Sequence, residues 1–239
     1  MLKALILASL LTAADRDEQS TRIANQMMEA MGGHDNWEQA RFIRFTNVRR
    51  NRKVTFSWDR WEGRLRIDAL NQGGIPYVIL MNLNSRQGNV HVEGRPLEGK
   101  ELSDYLNQGA QMWKGATYWF LMPLKWFDPG VNLAYAGEAD VEGGIHDVVH
   151  VTFDTKGDER VDQYSAYVNR DTHLMDAWKF TLGGEIEGYY RWTGWQRYGG
   201  VLVATERVGS DEVIHFEDIY VGASIPDEVF TSPEPFKFP

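Results

Sequence analysis

No cysteine occurs anywhere in this 239-residue chain. That absence excludes a disulfide framework, a thiolate zinc site, a cysteine nucleophile and a lipid-modified cysteine anchor. Positive charge is also scarce: 25 Lys and Arg stand against 34 Asp and Glu, for a formal net charge of −9. Phosphate backbones are bound by basic faces, so nucleic acid is not an expected partner. A long apolar run is missing as well, since residues 4–11 fall far short of the roughly 20 apolar residues a membrane helix needs. Aromatic residues, by contrast, are abundant, with nine Trp, ten Tyr and eleven Phe. Together with 43% hydrophobic and 25% charged residues, they argue for a packed globular chain rather than disorder. A chain of this length buries roughly 70% of its unfolded surface, so one core is the default.

The N-terminus has the layout of an export signal: Lys3 supplies a charged start, residues 4–11 are small and apolar, and Thr12, Ala13 and Ala14 form a small-residue cleavage site. The reading is a signal peptide at 1–14, cleaved near Ala14, and one soluble exported domain at 15–239. A hydrophobic N-terminal strand or helix is the alternative.

Beyond it, Ile23, Met27 and Met31 recur at helical spacing before Gly32 and Gly33, an amphipathic helix with a glycine stop. Asp35 and Glu38 have capping-box spacing, which predicts a further turn over 36–40 with Trp37 packed beneath. From Phe42 the period becomes two. Val54, Phe56 and Trp58 alternate with Thr55, Ser57 and Asp59, as Leu65 and Ile67 do with Arg64, Arg66 and Asp68, giving half-buried strands. Further strands are expected around 77–83 and 88–92, with Arg95 and Pro96 breaking the run. Leu102, Leu106, Gly109, Trp113, Ala116 and Phe120 then trace a helix face that must stop at Pro123. Strand signals resume at Val131 and continue to Val221; Gly-Gly pairs starting at Gly73, Gly143, Gly183 and Gly199 fall between strand signals, where hairpins need positive φ, and none extends to a phosphate-loop motif. The expectation is a mainly β, α+β chain: one antiparallel sheet of ten or eleven strands with two helical insertions. A sheet that large curls or closes.

No catalytic residue, metal or cofactor is called for by any motif. His146 and His150 have helical metal-pair spacing but lie in a β-branched run, where a strand would separate them by roughly 13 Å. No serine lies in G-x-S-x-G or S-x-x-K, although triads are spatial and a hydrolase stays open. The pairs Glu138 with Asp140 and Glu185 with Glu187 flank Gly turns and read as solvated hairpin ends rather than glycosidase carboxylates. Arg49, Arg50, Arg52 and Lys53 form the one dense basic run, with Phe56, Trp58 and Trp61 close behind. It reads either as a solvated hairpin end or as a contact for an anionic headgroup or partner.

The most distinctive segment is 118–127, YWFLMPLKWF, in which five of ten residues are aromatic. A helix end apolar on every side exceeds what one sheet contact requires, so these side chains either pack a core or wall a cavity for an apolar ligand.

The stretches MEAMGGHDNW, YWFLMPLKWFDPGVNLAY and the closing EDIYVGASIPDEVFTSPEPFKFP resemble the bacterial lipoprotein-carrier superfamily of LolA, LolB and their periplasmic relatives. The resemblance implies a curved, unclosed antiparallel sheet of about eleven strands, a half-barrel with helices covering its concave face. It also implies a periplasmic, monomeric, non-catalytic carrier or sensor that holds a lipid, acyl chain or lipoprotein between sheet and helices. On that reading Trp113, Trp119, Phe120, Met122, Trp126 and Phe127 line the helical side of the cavity, and Trp58 and Trp192 the sheet side. Without the lipoprotein cysteine, an anchored LolB-like acceptor does not fit. Two other classes stay open: a hydrolase or lyase with a His or carboxylate cluster in the same cavity, and a packed scaffold for a cell-envelope protein partner.

Overall fold

A computed structural model of the chain describes residues 16–154 and 162–236. The export signal read at 1–14 lies outside the described residues. The period-two alternation builds one antiparallel sheet of thirteen strands. In chain order these are β1 (Phe42–Arg49), β2 (Arg52–Asp59), β3 (Arg64–Leu70), β4 (Pro76–Asn82), β5 (Gly88–Val92) and β6 (Arg95–Pro96), then β7 (Val131–Val141), β8 (Gly144–Phe153) and β9 (Gln163–Asn169). They end with β10 (Met175–Leu182), β11 (Ile186–Tyr198), β12 (Val201–Val208) and β13 (Val213–Gly222).

In space β6 to β1 run in reverse, β13 follows β1, and the order descends to β7 at the far edge. The sheet is therefore an open half-barrel whose middle is the β1–β13 seam. Thirteen strands exceed the expected eleven. Arg95 and Pro96, read as the end of a run, instead pair with His91 and Val92 at the sheet edge, where the missing proline N–H faces no partner strand. β1 also shifts register against β13 between Arg44 and Thr46, which blurs the alternation that would have marked it.

Two helices fill the concave side. α1 (Glu18–Ala30) is capped by Asp17, whose carboxylate accepts from the Ser20 N–H at 2.8 Å and from the Tyr135 N–H of β7 at 2.7 Å. Its Ile23, Met27 and Met28 are buried, and Met31 follows. Gly32, at φ 122°, ends it where a Cβ would meet the Gly200 carbonyl oxygen at 2.3 Å. α2 (Gly33–Gln39) begins on this glycine, so the capping box expected from Asp35 does not form: Asp35 lies inside the first turn. Trp37 is buried as expected, beneath the Arg60 guanidinium at 3.7 Å.

α3 (Gly99–Leu121) connects the two edges of the sheet, its 23 residues spanning roughly 35 Å across the concave face. The predicted stripe is the packed one, with Leu106, Gly109, Ala116 and Phe120 buried. Gly109 brings the helix close to the sheet, because a Cβ there would stand 2.9 Å from Ile79 Cδ1. Pro123 opens a 3-10 turn at Met122–Lys125, which drops into the sheet beside α1. On the convex side, buried Arg66 bonds Asp68 and the carbonyls of Ser232 and Glu234, and so pins the C-terminal segment with α4 (Glu228–Thr231) against Phe42.

One ion cluster closes the rim near α2. Asp59 is fully buried between Arg41 and Arg64, bonded at 2.9 and 2.8 Å. Burial pushes its carboxyl up, but the hydrogen bonds from Arg41 and Arg64 outweigh this and hold it at about 2, below the ordinary 3.8. The carboxylate therefore stabilises the fold fully above pH 4 and progressively less as pH falls through 3.8 toward 2. Solvent at the rim screens part of the effect, leaving about 1–2 kcal/mol. Acid unfolding followed by circular dichroism is expected to show this loss, and Asp59→Asn to flatten the profile between pH 4 and 2. An unchanged acid limb in the variant would contradict the assignment.

Candidate functional site

The two rims of the half-barrel differ. The rim carrying the β2–β3 and β11–β12 turns is covered by α1 and α2, which dock on the Gly199–Gly200 turn through the Leu202 N–H bond to Met31 at 2.7 Å. At the opposite rim, carrying the β1–β2 and β3–β4 turns, α3 stands clear of the strand ends. A cleft of about 680 Å³ opens there between α3 and the β1, β2 and β13 strands. Its floor is apolar: Val54 and Phe56 of β2, Ile214 of β13, and Met112, Ala116 and Trp119 of α3. A second cleft of about 800 Å³ adjoins it toward β3 and β4, sharing Asn51, Arg52, Val54 and Met112 and reaching Lys53, Tyr77 and Tyr105. Along α3 the bordering positions are 101, 104, 105, 108, 112, 116 and 119, one face of the helix.

The polar edge of the first cleft is Asn47, Arg49, Arg50, Asn51 and Arg52. Strand pleating splits the basic run. Arg49 and Arg52 are cross-strand partners on the cleft face, whereas Lys53 points to the convex face and bonds Glu217 at 2.8 Å. Arg49 donates to both Glu212 oxygens, at 3.0 and 3.1 Å through Nε, and its guanidinium stands 6.0 Å from the Trp119 ring. Those bonds hold the Glu212 carboxyl below its usual range. Arg50 reaches the same carboxylate at 3.3 Å.

Of the eight aromatic and Met side chains expected around a cavity, Trp119 borders the open cleft. Its ring stands edge-on to Trp178 at 4.9 Å, Tyr190 at 4.9 Å and Phe180 at 5.7 Å, which anchor it at the cleft's edge beneath Arg49. Phe120 lies beneath, between Phe45 at 4.5 Å and Phe216 at 4.8 Å. Trp113 packs edge-on to Trp58 at 5.0 Å. Met122 and Trp126 are fully buried, with the indole N–H 3.1 Å from the Met122 sulfur. Phe127 packs against His34 at 4.7 Å. Trp192 is buried under the Arg207 guanidinium, 3.2 Å above its ring, and borders a separate cleft of about 310 Å³.

Sequence reasoning therefore missed Met112, Ala116, Val54, Phe56 and Ile214 as residues bordering the cleft. Two signals were present: the pleat of β2, and the second stripe of α3 running through 105, 112 and 119. His146 and His150 lie on β8 as expected, with buried His146 bonded to the Gly144 carbonyl at 2.9 Å and Asp176 at 3.0 Å. The paired carboxylates sit at hairpin ends: Glu138 bonds Arg170, and Asp140 caps the Gly143 turn at 2.8 Å.

No protein-family model and no curated protein matches this chain. Solved structures do. A LolA superfamily protein from Nitrosomonas europaea superposes with a TM-score of 0.51 at 11% identity, over 89% of this chain and 97% of that one. This chain has a LolA-like fold. An outer membrane lipoprotein-sorting protein domain from Vibrio parahaemolyticus matches it with a TM-score of 0.50 at 8% identity, over 89% of this chain and 96% of that one. At these identities the LolA-like likeness is one of architecture: an unclosed sheet with helices on its concave face.

Proposed function

We propose that this protein is a non-catalytic carrier or sensor, working in the periplasm, that takes an acyl chain or other long apolar ligand into the cleft beside Trp119. The observation carrying this reading is the apolar floor of Val54, Phe56, Met112, Ala116, Trp119 and Ile214, open at one rim of a LolA-like half-barrel. Its volume of about 680 Å³ lies within the range of small-molecule sites. Burying about ten methylenes at about 0.8 kcal/mol each would contribute on the order of 8 kcal/mol before ordering costs, sufficient for reversible capture.

A hydrolase or lyase would want a general base or nucleophile against the bound chain. The polar lining of this cleft is Asn and Arg; the carboxylates near it are Glu212, engaged by Arg49 and Arg50, and Glu101 and Asp104 in the adjoining cleft, the latter bonded to Lys100. A scaffold would want a contiguous apolar face. The large exposed apolar side chains instead lie spread over the β2–β3 turn, β3, β8, β11 and β13. No helix among the described residues is long and apolar enough to cross a membrane.

Native mass spectrometry of gently extracted protein is expected to show a bound lipid or acyl species. Met112→Trp places a bulkier ring where the two clefts meet, and is expected to weaken fatty-acid binding about tenfold with the circular dichroism spectrum unchanged. A protein that is always empty and refuses fatty-acid and phospholipid probes would sink the proposal.

A further inference from the structure

The turn between β1 and β2 carries an electrostatic arrangement that the fold alone does not account for. Arg49 and Arg52 stand directly opposite each other in the strand register, on the same face. Like charges in that position are destabilising. One carboxylate, Glu212, is present to compensate, and it is engaged by Arg49 and Arg50 together. Arg52 is left exposed and without an ion pair among the described residues. Glu101 and Asp104 border the adjoining cleft but make no ion pair with it, and Asp104 is bonded to Lys100. The amide side chains of Asn47 and Asn51 complete the edge, so the mouth of an apolar cleft in a chain of net charge −9 is ringed by three guanidiniums and two amides.

We propose that this turn is the headgroup site of the cleft, binding a phosphate-type anion on an amphiphile whose chain lies over Trp119. The proposal rests on the carrier reading and specifies its ligand as an anionic, single- or multi-chain lipid. Guanidiniums bind such oxyanions through paired N–H bonds. An anion between Arg49 and Arg52 relieves their repulsion, and the apolar floor begins immediately behind them at Val54 and Phe56. Complementarity of both charge and polarity along one path favours an amphiphile over a wholly apolar ligand.

The test is calorimetric titration of the delipidated full chain with dodecyl phosphate, with dodecyl maltoside of the same chain length, and with inorganic phosphate. Dodecyl phosphate is expected to bind about tenfold more tightly than the maltoside, the worth of one charge-assisted contact. Arg52→Gln is expected to bring the phosphate ester down to within about twofold of the maltoside without lowering the melting temperature, since it removes a repulsive charge. Lys179→Gln, an exposed cation on β10 that borders neither cleft, is expected to leave the preference intact. Equal affinity for the two amphiphiles overturns the headgroup site and leaves the carrier reading standing. Binding of neither amphiphile overturns both. Inorganic phosphate binding as tightly as dodecyl phosphate, with the same dependence on Arg52, overturns the lipid assignment in favour of a free-anion site.

Discussion

Arg207→Ala is expected to cost about 3–5 kcal/mol of folding stability, among the largest effects of any single substitution in this chain. Arg207 is 0% exposed and lies on the concave side of β12 with no carboxylate beside it. Burial pushes its guanidinium well down from its ordinary value. What keeps the charge tolerable is carbonyl oxygen: Arg207 donates to Trp119 at 2.8 Å and Phe120 at 3.1 Å, and to Ala204 and Glu206 at 3.1 and 2.8 Å. The first two belong to the last turn of α3, whose carbonyls have no helical partners and carry the negative end of the helix dipole. The guanidinium also lies 3.2 Å over the Trp192 ring. Alanine removes the donor from four carbonyls, two of them fully buried, and leaves a void above the indole. Methionine refills the void but satisfies no carbonyl, so Arg207→Met is expected to recover only a minor part. Urea titration measures both, with the midpoint falling and the slope unchanged. A loss below about 1 kcal/mol would show that water or a neighbour caps α3 instead.

That anchor marks the limit of what the sequence discloses. Alternation at Val54, Phe56 and Trp58 was legible because one face of β2 is core and the other is not, and the α3 stripe from Leu102 to Phe120 was legible because its spacing persists over five turns' worth of chain. Arg207 was not legible: an arginine on a strand reads as solvent-facing. Its burial depends on carbonyls 87 and 88 residues earlier in the chain. The basic run is split for a related reason. Four cations in one stretch look like one feature, yet the pleat sends Arg49 and Arg52 to the cleft and Lys53 to Glu217 on the other side. The aromatic segment 118–127 stands out in the sequence, but whether each ring packs or lines depends on where the sheet's open rim falls. Phe120, Met122 and Trp126 fill the interior, while Trp119 reaches the cleft.

Trp178→Ala is expected to match the Arg207 effect in size, at about 3–5 kcal/mol, for the opposite physical reason. Trp178 is 0% exposed on β10, and four rings surround it: Trp119 at 4.9 Å, Trp192 at 5.1 Å, Tyr164 at 5.2 Å and Phe180 at 5.8 Å. Most of these contacts are edge-to-face, the arrangement in which ring edges meet the negative faces of their neighbours. Its indole N–H has no hydrogen-bond partner among the described residues. Removing the side chain therefore strands no polar group, and the cost is lost burial plus the cavity left among rings too rigid to collapse. Trp178→Phe separates the two contributions. It keeps most of the ring contact and deletes an unpaired buried N–H, so it is expected to cost roughly half as much as alanine or less. Arg207 should show the reverse pattern, because there the polar bonds rather than the volume hold the structure. The two residues grip Trp119 from separate sides, one through its carbonyl and one through its ring. Trp178→Ala is thus expected to weaken acyl-chain binding as well as stability, by freeing the ring that floors the cleft. Full ligand affinity in a destabilised but folded Trp178→Ala protein would show that the floor is held by α3 alone.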